Sequence, residues 1–384
     1  MPACQGLGIG KRIQERFFDI ARRSGVPGMR IYTRLHNAAT KILTELFGFR
    51  LAETFTGAWL PRLPANLPAR PTPYTPRGTM TTITLRIARA EDRQKIIQVE
   101  EKSTPGLRYL PHVFDMFLAD PGGEFIVAEM NGGAEMDGGA EMDGGAEMDG
   151  GAEMDGELVG VGKFTLLPDG TAWLEALRVI PECQGLGIGK RFYERFFEIA
   201  RREGVPSMRM YTGVRNFASK GLAERFGFRL AGGFKGAWLP VTPGAALPSA
   251  PAFRPVTNAD RATALLMPHS DDWGGYLVMN RTFFPLTPAL CAHLAGKGFV
   301  YEQPETRNLV VLGARFMPWQ ALHIGCFTGD AAACLAFAHQ QGAALGVERL
   351  SCLFHQSAAQ VETSLAEAGF LLESSDFIVM QVDV

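Results

Sequence analysis

The chain has 384 residues and a net charge of −2, and 46% of its residues are hydrophobic and 20% are charged. This length accommodates two or three domains, and the composition is typical of a water-soluble globular protein. The six cysteines form no Cys-x-x-Cys pair, which argues against a zinc ribbon or a disulfide framework. Since no signal peptide or membrane-spanning apolar run is evident, the sequence predicts a cytoplasmic protein without a membrane partner.

The beginning of the chain duplicates a later part of it. Residues 2–61 align with residues 181–240 without a gap, and 42 of the 60 positions are identical. Both copies contain the hexapeptide Gln-Gly-Leu-Gly-Ile-Gly, at 5–10 and at 184–189. The spacing is too long for a solenoid repeat. We interpret the first copy as a duplicated fragment that could dock on the rest of the chain.

Pro-rich stretches and the pattern of hydrophobic residues divide the chain into regions. The predicted regions are 1–61 as the partial duplicate, 62–80 as a linker, 81–240 as the main domain, 241–252 as a second linker, and 253–384 as a further lobe.

The main domain reads as alternating strands and helices. Predicted strands are Thr82–Ile87, Phe125–Met130, Glu157–Thr165, 172–179 and Ser207–Thr212, and predicted helices are Asp92–Glu101, Val113–Leu118, 188–203 and Ser219–Phe226.

Four copies of Gly-Gly-Ala-Glu-Met-Asp occupy 132–155, between two strands that we predict to form a hairpin. They carry eight acidic side chains and no basic ones, so the rest of the chain has a charge of +6. This mildly basic balance suits a phosphate-bearing ligand but is too weak to indicate nucleic acid. The array predicts a mobile loop, and its carboxylates lack the fixed spacing of a calcium site.

The region 253–384 repeats the order of strands and helices. Predicted strands are Phe299–Glu302, Leu309–Phe316, Ala321–Phe327, Leu350–Phe354 and Phe377–Val382, and predicted helices are Asp260–Met267, Thr287–Ala295, Ala331–Gly342 and Ala358–Ala368. The counterpart of the glycine-rich hexapeptide there contains Asp330, which would cap a helix and repel a phosphate.

The hexapeptide at 184–189 follows a predicted strand and opens a predicted helix. Unpaired amides and the dipole at a helix N-terminus favour an anion, and glycine allows close approach of the backbone. A dinucleotide-binding fingerprint would need glycine at Lys190, and a P-loop would need Ser or Thr at Arg191. The pattern that fits is Gln-x-x-Gly-x-Gly between a strand and a helix. The copy at 5–10 has no predicted strand before it, so we expect only the copy at 184–189 to bind.

With Asn216 and the downstream pair Gly227-Phe228, this loop resembles that of the GNAT superfamily of acyl-CoA N-acyltransferases. The resemblance covers 82–240 and implies tandem α/β (α+β) GNAT folds, with a mixed central sheet flanked by helices and 253–384 as a degenerate second lobe. It implies acetyl-CoA as co-substrate and no metal. Implied CoA-binding residues are Leu177, Val179, Gln184, Gly185, Gly187, Ile188, Gly189, Lys190 and Asn216.

Short segments at 106–111, 118–121, 174–179 and 379–384 are similar to tandem GNATs related to histidine N-acetyltransferase. This finer resemblance implies a small amino-acid substrate that is acetylated on its α-amine. Arg108 and Tyr109 lie in the segment that shapes the acceptor pocket, and the guanidinium could hold a substrate carboxylate. An exposed loop arginine is the alternative.

Glu175 is the candidate general base, since an amine must lose a proton before it attacks a thioester. The alternative is a structural glutamate paired with an arginine such as Arg178. Many family members carry a tyrosine acid where this chain has Ala223, which leaves the general acid unassigned. Cys183 is expected to be a small buried thiol. We expect the histidines to be structural, namely His269, His323, His339 and His355.

The sequence thus predicts an N-acetyltransferase with one active lobe. A protein acetyltransferase, acting on lysine or an N-terminus, would need an open acceptor groove. A CoA-binding pseudoenzyme would bind CoA without releasing thiol in the presence of any amine.

Overall fold

The computed structural model describes residues 82–103, 108–131, 156–242 and 252–384, together with three short strands near the beginning of the chain. The chain divides into two compact units, Met1–Gly78 and Thr79–Val384. The acidic array and the hexapeptide at 5–10 lie outside the described residues.

The three strands of the first unit are β1 (Met29–Tyr32), β2 (Arg50–Leu51) and β3 (Gly57–Leu60). They pair antiparallel in the order β1-β3-β2, with Arg30 opposite Trp59. The last strand of the duplicate therefore folds back between the other two.

The second unit contains two lobes, which we define as the first lobe (82–242) and the second lobe (252–384). The strands of the first lobe are β4 (Thr82–Ile87), β5 (Glu124–Asn131), β6 (Glu157–Leu166), β7 (Ala172–Val179), β8 (Ser207–Gly213) and β9 (Arg229–Pro240). Its helices are α1 (Arg93–Ser103), α2 (Leu110–Leu118), α3 (Ile188–Glu203) and α4 (Phe217–Arg225).

The second lobe follows the same order with additions. Its strands are β10 (Arg254–Pro255), β11 (Tyr276–Met279), β12 (Thr282–Pro285), β13 (Val300–Gln303), β14 (Asn308–Gly313), β15 (Ala321–Thr328), β16 (Arg349–His355), β17 (Leu371–Leu372) and β18 (Phe377–Asp383). Its helices are α5 (Ala259–Leu266), α6 (Pro288–Gly296), α7 (Ala331–Leu345) and α8 (Ala359–Glu367).

Among the described residues, thirteen strands form one mixed sheet across both lobes, in the order β10-β13-β14-β15-β16-β9-β18-β8-β7-β6-β5-β4 with β17 beside β9. The pairs β7-β8 and β15-β16 are parallel and the remaining pairs are antiparallel. Strands β11 and β12 form a separate hairpin.

The lobes are joined by an exchange of strands. The last strand of the chain, β18, lies between β8 and β9 and completes the sheet of the first lobe. In return, the second half of β9 lies between β16 and β17, with Trp238 opposite both Ser351 and Leu371. Each lobe therefore lacks one strand of its own and borrows it from the other.

The segment Gly-Ala-Trp-Leu occurs in both copies of the duplication and pairs differently in each. At Gly57–Leu60 it returns to its own unit, where Tyr32 lies opposite Gly57. At 236–239 it pairs with β16 and β17 of the second lobe, while β18 takes the place beside β8. Because the sequence of the segment is the same, its pairing is decided by the strands available to it.

Strand β18 contributes to both hydrophobic cores. Phe377 and Val379 are buried in the core of the second lobe, whereas Ile378 and Met380 are buried in that of the first lobe. Successive side chains of a strand point to opposite faces, so one strand supports two cores. Both faces are covered, which explains the continuous apolar run Phe-Ile-Val-Met.

The predicted α/β (α+β) fold class is confirmed. Each strand and helix predicted within 82–240 is present in the structure, with bounds that differ by at most a few residues. The hairpin prediction for the strands that flank the array is confirmed by the pairing of β5 with β6. The strand predicted to reach Phe316 is wrong at its end, because β14 stops at Gly313. The long strand β9 and the hairpin β11-β12 were not predicted.

Candidate active site

The Gly loop at 184–189 is an open turn before α3. Gly185 and Gly187 have φ of 88° and 83°, the left-handed region that favours glycine. A Cβ atom at either position would meet nothing within 4 Å, so the loop surface is free on this side. At Gly189 the helix approaches α4, since a Cβ there would lie 2.8 Å from Leu222 Cδ2. The glycines thus serve both the turn and the packing of the helix.

Most backbone amides of this turn have no acceptor in the described part of the chain; Gln184 N and Leu186 N are the exceptions, donating to Pro181 O and Cys183 O. The first helical hydrogen bond runs from Arg191 N to Gly187 O at 3.1 Å, and no side chain caps the helix. The amides without an acceptor are those of Gly185, Gly187, Ile188, Gly189 and Lys190. Free amides at the N-terminus of a 16-residue helix form a site for an anion such as a pyrophosphate.

The other side chains predicted at this site have partners of their own. Gln184 is exposed, and its Nε2 donates to Val179 O at 3.0 Å. Lys190 is exposed and forms an ion pair with Glu194 at 3.1 Å. Asn216 caps α4, where its Oδ1 accepts from Ser219 N at 3.2 Å. All three side chains lie at the surface.

Strand β7 separates from β8 beside the Gly loop. The parallel pairing extends from Ala172 to Leu174 and then ends. Ala176 has a φ of 58°, and the register between β6 and β7 shifts at this point, as in a β-bulge. Among the described residues no strand pairs with the β8-facing edge of Leu177 and Val179. Apart from the Val179 carbonyl, which accepts from Gln184 Nε2, backbone groups along that edge are open to an extended ligand.

Glu175 is the first residue after the parallel pairing ends, and it is buried with an exposure of 8%. The side chain of Arg315, from the second lobe, donates to both of its oxygens at 2.7 Å. Thr165 Oγ1 donates to the same carboxylate at 2.6 Å. The alternative of a glutamate paired with an arginine therefore has a pair in the structure, although the partner is Arg315 of the second lobe and not Arg178.

Burial alone would lower the pKa of Arg315, but the Glu175 carboxylate outweighs it and holds this pKa above its ordinary value. The guanidinium therefore stays charged in the interior. Its Nη1 also donates to Thr282 Oγ1 at 2.8 Å. A bidentate, charged pair of this kind fixes the position of the Glu175 carboxylate.

The hairpin β11-β12 holds the loop that carries Arg315. Its turn residues Asn280 and Arg281 both have positive φ, as in a two-residue hairpin turn. Asn280 Oδ1 accepts from the backbone amides of Arg315 at 2.7 Å and Phe316 at 3.2 Å. The position of Arg315 is therefore set by hydrogen bonds between its loop and the β11-β12 turn.

Tyr109 stands at the start of α2 and lines the same cavity as Glu175. The buried carboxylate of Glu100 accepts from the amides of Tyr109 at 3.2 Å and Leu110 at 3.1 Å. The ring of Tyr109 stacks on Phe316 of the second lobe, with centroids 5.7 Å apart. Burial raises the pKa of the Tyr109 phenol, so the hydroxyl stays protonated.

Arg108 does not share this location. Its side chain is 51% exposed and forms an ion pair with Glu101 at 3.6 Å. The structure brings Tyr109 to the cavity with Glu175 and leaves Arg108 outside the cavity lining.

Neither Ala223 nor Tyr193 offers an accessible hydroxyl to the site. Ala223 is fully buried, and Tyr193 packs against Phe226 and Phe228 in the core. Tyr211 on β8 lines the cavity and stacks on Trp173. Of these two tyrosines, Tyr211 is the one that lines the cavity with Glu175.

Cys183 is buried at 5% exposure, and burial raises its pKa, so this thiol is a poor nucleophile. In the described part of the chain, no group of three or more His, Cys, Asp or Glu side chains could hold a metal ion. None of the described helices is long and apolar enough to cross a membrane.

The second lobe has a different turn at the corresponding place. Asp330 caps α7 by accepting from Ala333 N at 3.2 Å, and its own amide donates to Asn308 Oδ1 at 2.8 Å. A Cβ at Gly329 would lie 2.3 Å from Asn308 Oδ1. The carboxylate and the asparagine side chain thus occupy amides of this turn, whereas the corresponding amides before α3 have no acceptor within the described residues.

Comparisons with known proteins agree with this architecture. The family model described as Acetyltransferase (GNAT) family matches residues 140–228, which include the Gly loop and β7. No curated protein sequence matches the chain.

Among solved structures, a GCN5-related N-acetyltransferase from Sphaerobacter thermophilus superposes with a TM-score of 0.51 at 13% identity, over 78% of this chain and 95% of that one. A GCN5-related glucosamine N-acetyltransferase region of a fungal multi-domain GH3 beta-N-acetylglucosaminidase gives 0.52 at 10% identity, over 79% and 38%. A tandem GNAT protein from the clavulanic acid biosynthesis pathway gives 0.48 at 13% identity, over 79% and 98%.

At these identities the superpositions with TM-scores above 0.5 show the fold alone. The family model shows that residues 140–228, which hold the separated strand β7 and the Gly loop before α3, are similar to the Acetyltransferase (GNAT) family.

Proposed function

We propose that this protein transfers an acetyl group from acetyl-CoA to the amine of a small substrate, an amino acid such as histidine. The observation that supports the donor site best is the set of free amides at the N-terminus of α3, directly beside the open edge of β7. The amino acid rests on the sequence resemblance and on the narrow cavity at Glu175.

The donor site follows from the backbone. The amides of Gly185, Gly187 and residues 188–190 hold the pyrophosphate of CoA, and the side chains of Gln184 and Asn216 line its path. The open edge of Leu177 and Val179 pairs with the pantetheine arm, as an added strand would. The thioester then reaches the end of the β7-β8 pairing, next to Glu175.

In the proposed reaction the neutral amine attacks the thioester carbonyl, the C–N bond forms as the C–S bond breaks, and CoA leaves as the thiolate. Glu175 accepts the proton of the amine, directly or through a water molecule. Arg315 and Thr165 hold this carboxylate in place; Oε1 already accepts two hydrogen bonds, whereas Oε2 accepts one and keeps a lone pair for the proton. A thiol pKa of about 8.5 makes thiolate a workable leaving group without a dedicated acid.

We further propose that only the first lobe binds CoA and that the second lobe completes the acceptor side. Asp330 and Asn308 fill the turn where the second lobe would need free amides. Arg315, Phe316 and the turn at Asn280 meanwhile approach the acetyl site of the first lobe. The duplicated fragment at 1–61 has no role in this scheme.

One observation favours a second candidate, a CoA-binding pseudoenzyme. Glu175 already accepts hydrogen bonds from Arg315 and Thr165, and Ala223 stands where many relatives carry a tyrosine. A protein in which this pair never opens would bind CoA and transfer nothing.

Thiol release from acetyl-CoA across a panel of free amino acids, peptides and proteins separates these possibilities. We expect turnover with at least one free amino acid and little with peptides. Turnover of proteins alone would replace the small-substrate proposal by protein acetylation. CoA binding with no thiol release for any amine would establish the pseudoenzyme.

A further inference from the structure

A narrow cavity lies between the lobes, next to the end of the β7-β8 pairing. Its first-lobe wall includes Tyr109, Glu175 and Tyr211, and its second-lobe wall includes Arg281, His323 and Arg349. Its volume is about 60 Å³. This is room for a few water molecules or for a small polar group, such as a carboxylate with its neighbouring carbon.

Of the charged residues that line the cavity, all but one have a charged partner. Glu175 is paired with Arg315, and Arg281 is paired with Glu373 at 2.7 Å. Arg349 forms no ion pair and no side-chain hydrogen bond with the described part of the chain, and its Nε is buried without a partner. Arg178, outside the lining but over the Tyr109 ring at 5.8 Å, also has a buried Nε without a partner within the described residues. Among the lining residues, one positive charge is therefore left over at a partly desolvated site.

His323 supports the same conclusion independently. Its side chain is 6% exposed, and neither ring nitrogen has a hydrogen-bond partner within the described residues. Buried polar groups in native proteins are nearly always satisfied, so unpartnered groups that face a cavity indicate a ligand or water. The neutral ring can donate from one nitrogen and accept at the other.

Hydroxyl groups complete the polar lining. No hydrogen bond joins the hydroxyls of Tyr109 or Tyr211 to the described part of the chain, although both side chains line the cavity. Both remain protonated, because burial raises the pKa of each phenol. They can donate to an anion beside Arg349.

We propose that this cavity is the carboxylate subsite of the acceptor, in which Arg349 pairs with the α-carboxylate of a free amino acid and His323 hydrogen-bonds it. This inference rests on the proposed function, because it is the role of Glu175 as base that orients the α-amine of the bound amino acid towards Glu175. The one unpaired cation among the lining residues, Arg349, matches a single carboxylate, and the small volume matches an amino-acid head group. The second lobe thereby selects the substrate class.

The test compares amino acids with the amines that lack only the carboxylate, namely histidine with histamine, phenylalanine with phenethylamine, and alanine with ethylamine. Binding is measured by calorimetry on the full chain saturated with CoA, in which no acetyl group is present and no turnover occurs. The kcat and KM for each compound are then measured with acetyl-CoA. The variants are Arg349→Met, Arg349→Lys and the control Arg254→Met, an exposed arginine of β10.

We expect wild-type protein to bind at least one amino acid more tightly than its amine. Arg349→Met should weaken the binding of that amino acid by roughly 10- to 100-fold, seen mainly as a higher KM. The affinities for the amine and for CoA should not change. Arg349→Lys should retain part of the difference, whereas Arg254→Met should have no effect. Since Arg349 has no partner within the described residues, we expect Arg349→Met to keep the wild-type melting temperature.

The inference is overturned if no amino acid of the panel binds, if amines bind as tightly as amino acids, or if Arg349→Met weakens both equally. Discrimination in binding without any turnover would support the subsite and refute the proposed acetyl transfer. The two ideas can therefore fail separately.

Discussion

The ion pair of Glu175 with Arg315 is the residue-scale feature on which the site depends. Two charges removed from water lose much of their hydration, and only good geometry with further hydrogen bonds compensates for this. Here Thr165 and Thr282 supply those bonds. The pair joins the lobes at the point where we place the chemistry, so position and function of Glu175 depend on the second lobe.

Replacing Arg315 by methionine should be strongly destabilising, because it leaves the buried Glu175 charge without a partner. We expect a loss of about 3–5 kcal/mol in the free energy of unfolding, measured by urea denaturation. The double variant Glu175→Gln with Arg315→Met should recover much of that loss. Arg261→Met, which breaks the more exposed pair with Glu302, should cost below about 1 kcal/mol. Equal losses for Arg315→Met and Arg261→Met would contradict this account.

His323 should make stability depend on pH. Burial, reinforced by Arg349 and Arg281, lowers its pKa to about 3. Between pH 6.5 and pH 3 the unfolded chain binds a proton that the folded state excludes, so stability falls as the pH falls through this window. In His323→Gln this contribution is absent. The stability advantage of wild type over the variant should shrink by up to about 4 kcal/mol between pH 7 and pH 3. If the free energies of unfolding of wild type and His323→Gln, measured by urea denaturation, change with pH in parallel across this range, the prediction is refuted.

Sequence reasoning named Glu175 but could not find its partner. Arg315 is 140 positions away in a loop, and no local pattern marks a contact of that range. His323 and Arg349 were missed as site residues for the same reason, since they alternate within strands like ordinary core positions. A hint was present at Asn280-Arg281, because asparagine between two apolar runs favours a hairpin turn.

At the element scale, the turn before α3 was predictable in detail. Its glycines, the preceding strand and the following amphipathic helix are local features, and the structure has them at the expected residues. Strand β9 was not predicted, since its run of small and glycine residues has low strand propensity. Its place in the sheet comes from β16 and β18 on either side.

The duplication offers a matched pair of variants for this turn. Gly187→Asp places a negative charge and a side chain at a φ of 83°, and we expect it to weaken CoA binding by at least about 100-fold. Gly8→Asp is the same change in the first copy, where the sequence predicts no binding. Calorimetric titration with CoA measures both. A loss of affinity in Gly8→Asp would show that the duplicate takes part.

At the scale of the whole molecule, the exchange of β9 and β18 couples the two lobes. Every residue from Phe377 to Met380 is buried, with alternate members in different cores. The sequence predicts two lobes, and it could not predict that each is closed by a strand from the other. Sheet partners over such distances are set by packing of the whole chain and not by local preference.

This coupling predicts that the two lobes of Thr79–Val384 unfold together. A protein that ends at Asp376 should lose folded structure in the first lobe as well as the second, because β8 and β9 both lose β18. Circular dichroism and CoA binding of this shortened chain, compared with the full chain, measure the effect. A first lobe that still folds and binds CoA with wild-type affinity would refute the coupling.

The central claim is that CoA bound at the amides of α3 donates its acetyl group to a small amine held between the lobes. Mass spectrometry of the amine after incubation of the full chain with acetyl-CoA and a mixture of free amino acids tests it most directly. We predict an amino acid that gains one acetyl group, with formation abolished in Gly187→Asp and retained in Gly8→Asp. An unchanged mixture, from wild-type protein that binds CoA normally, would contradict the account.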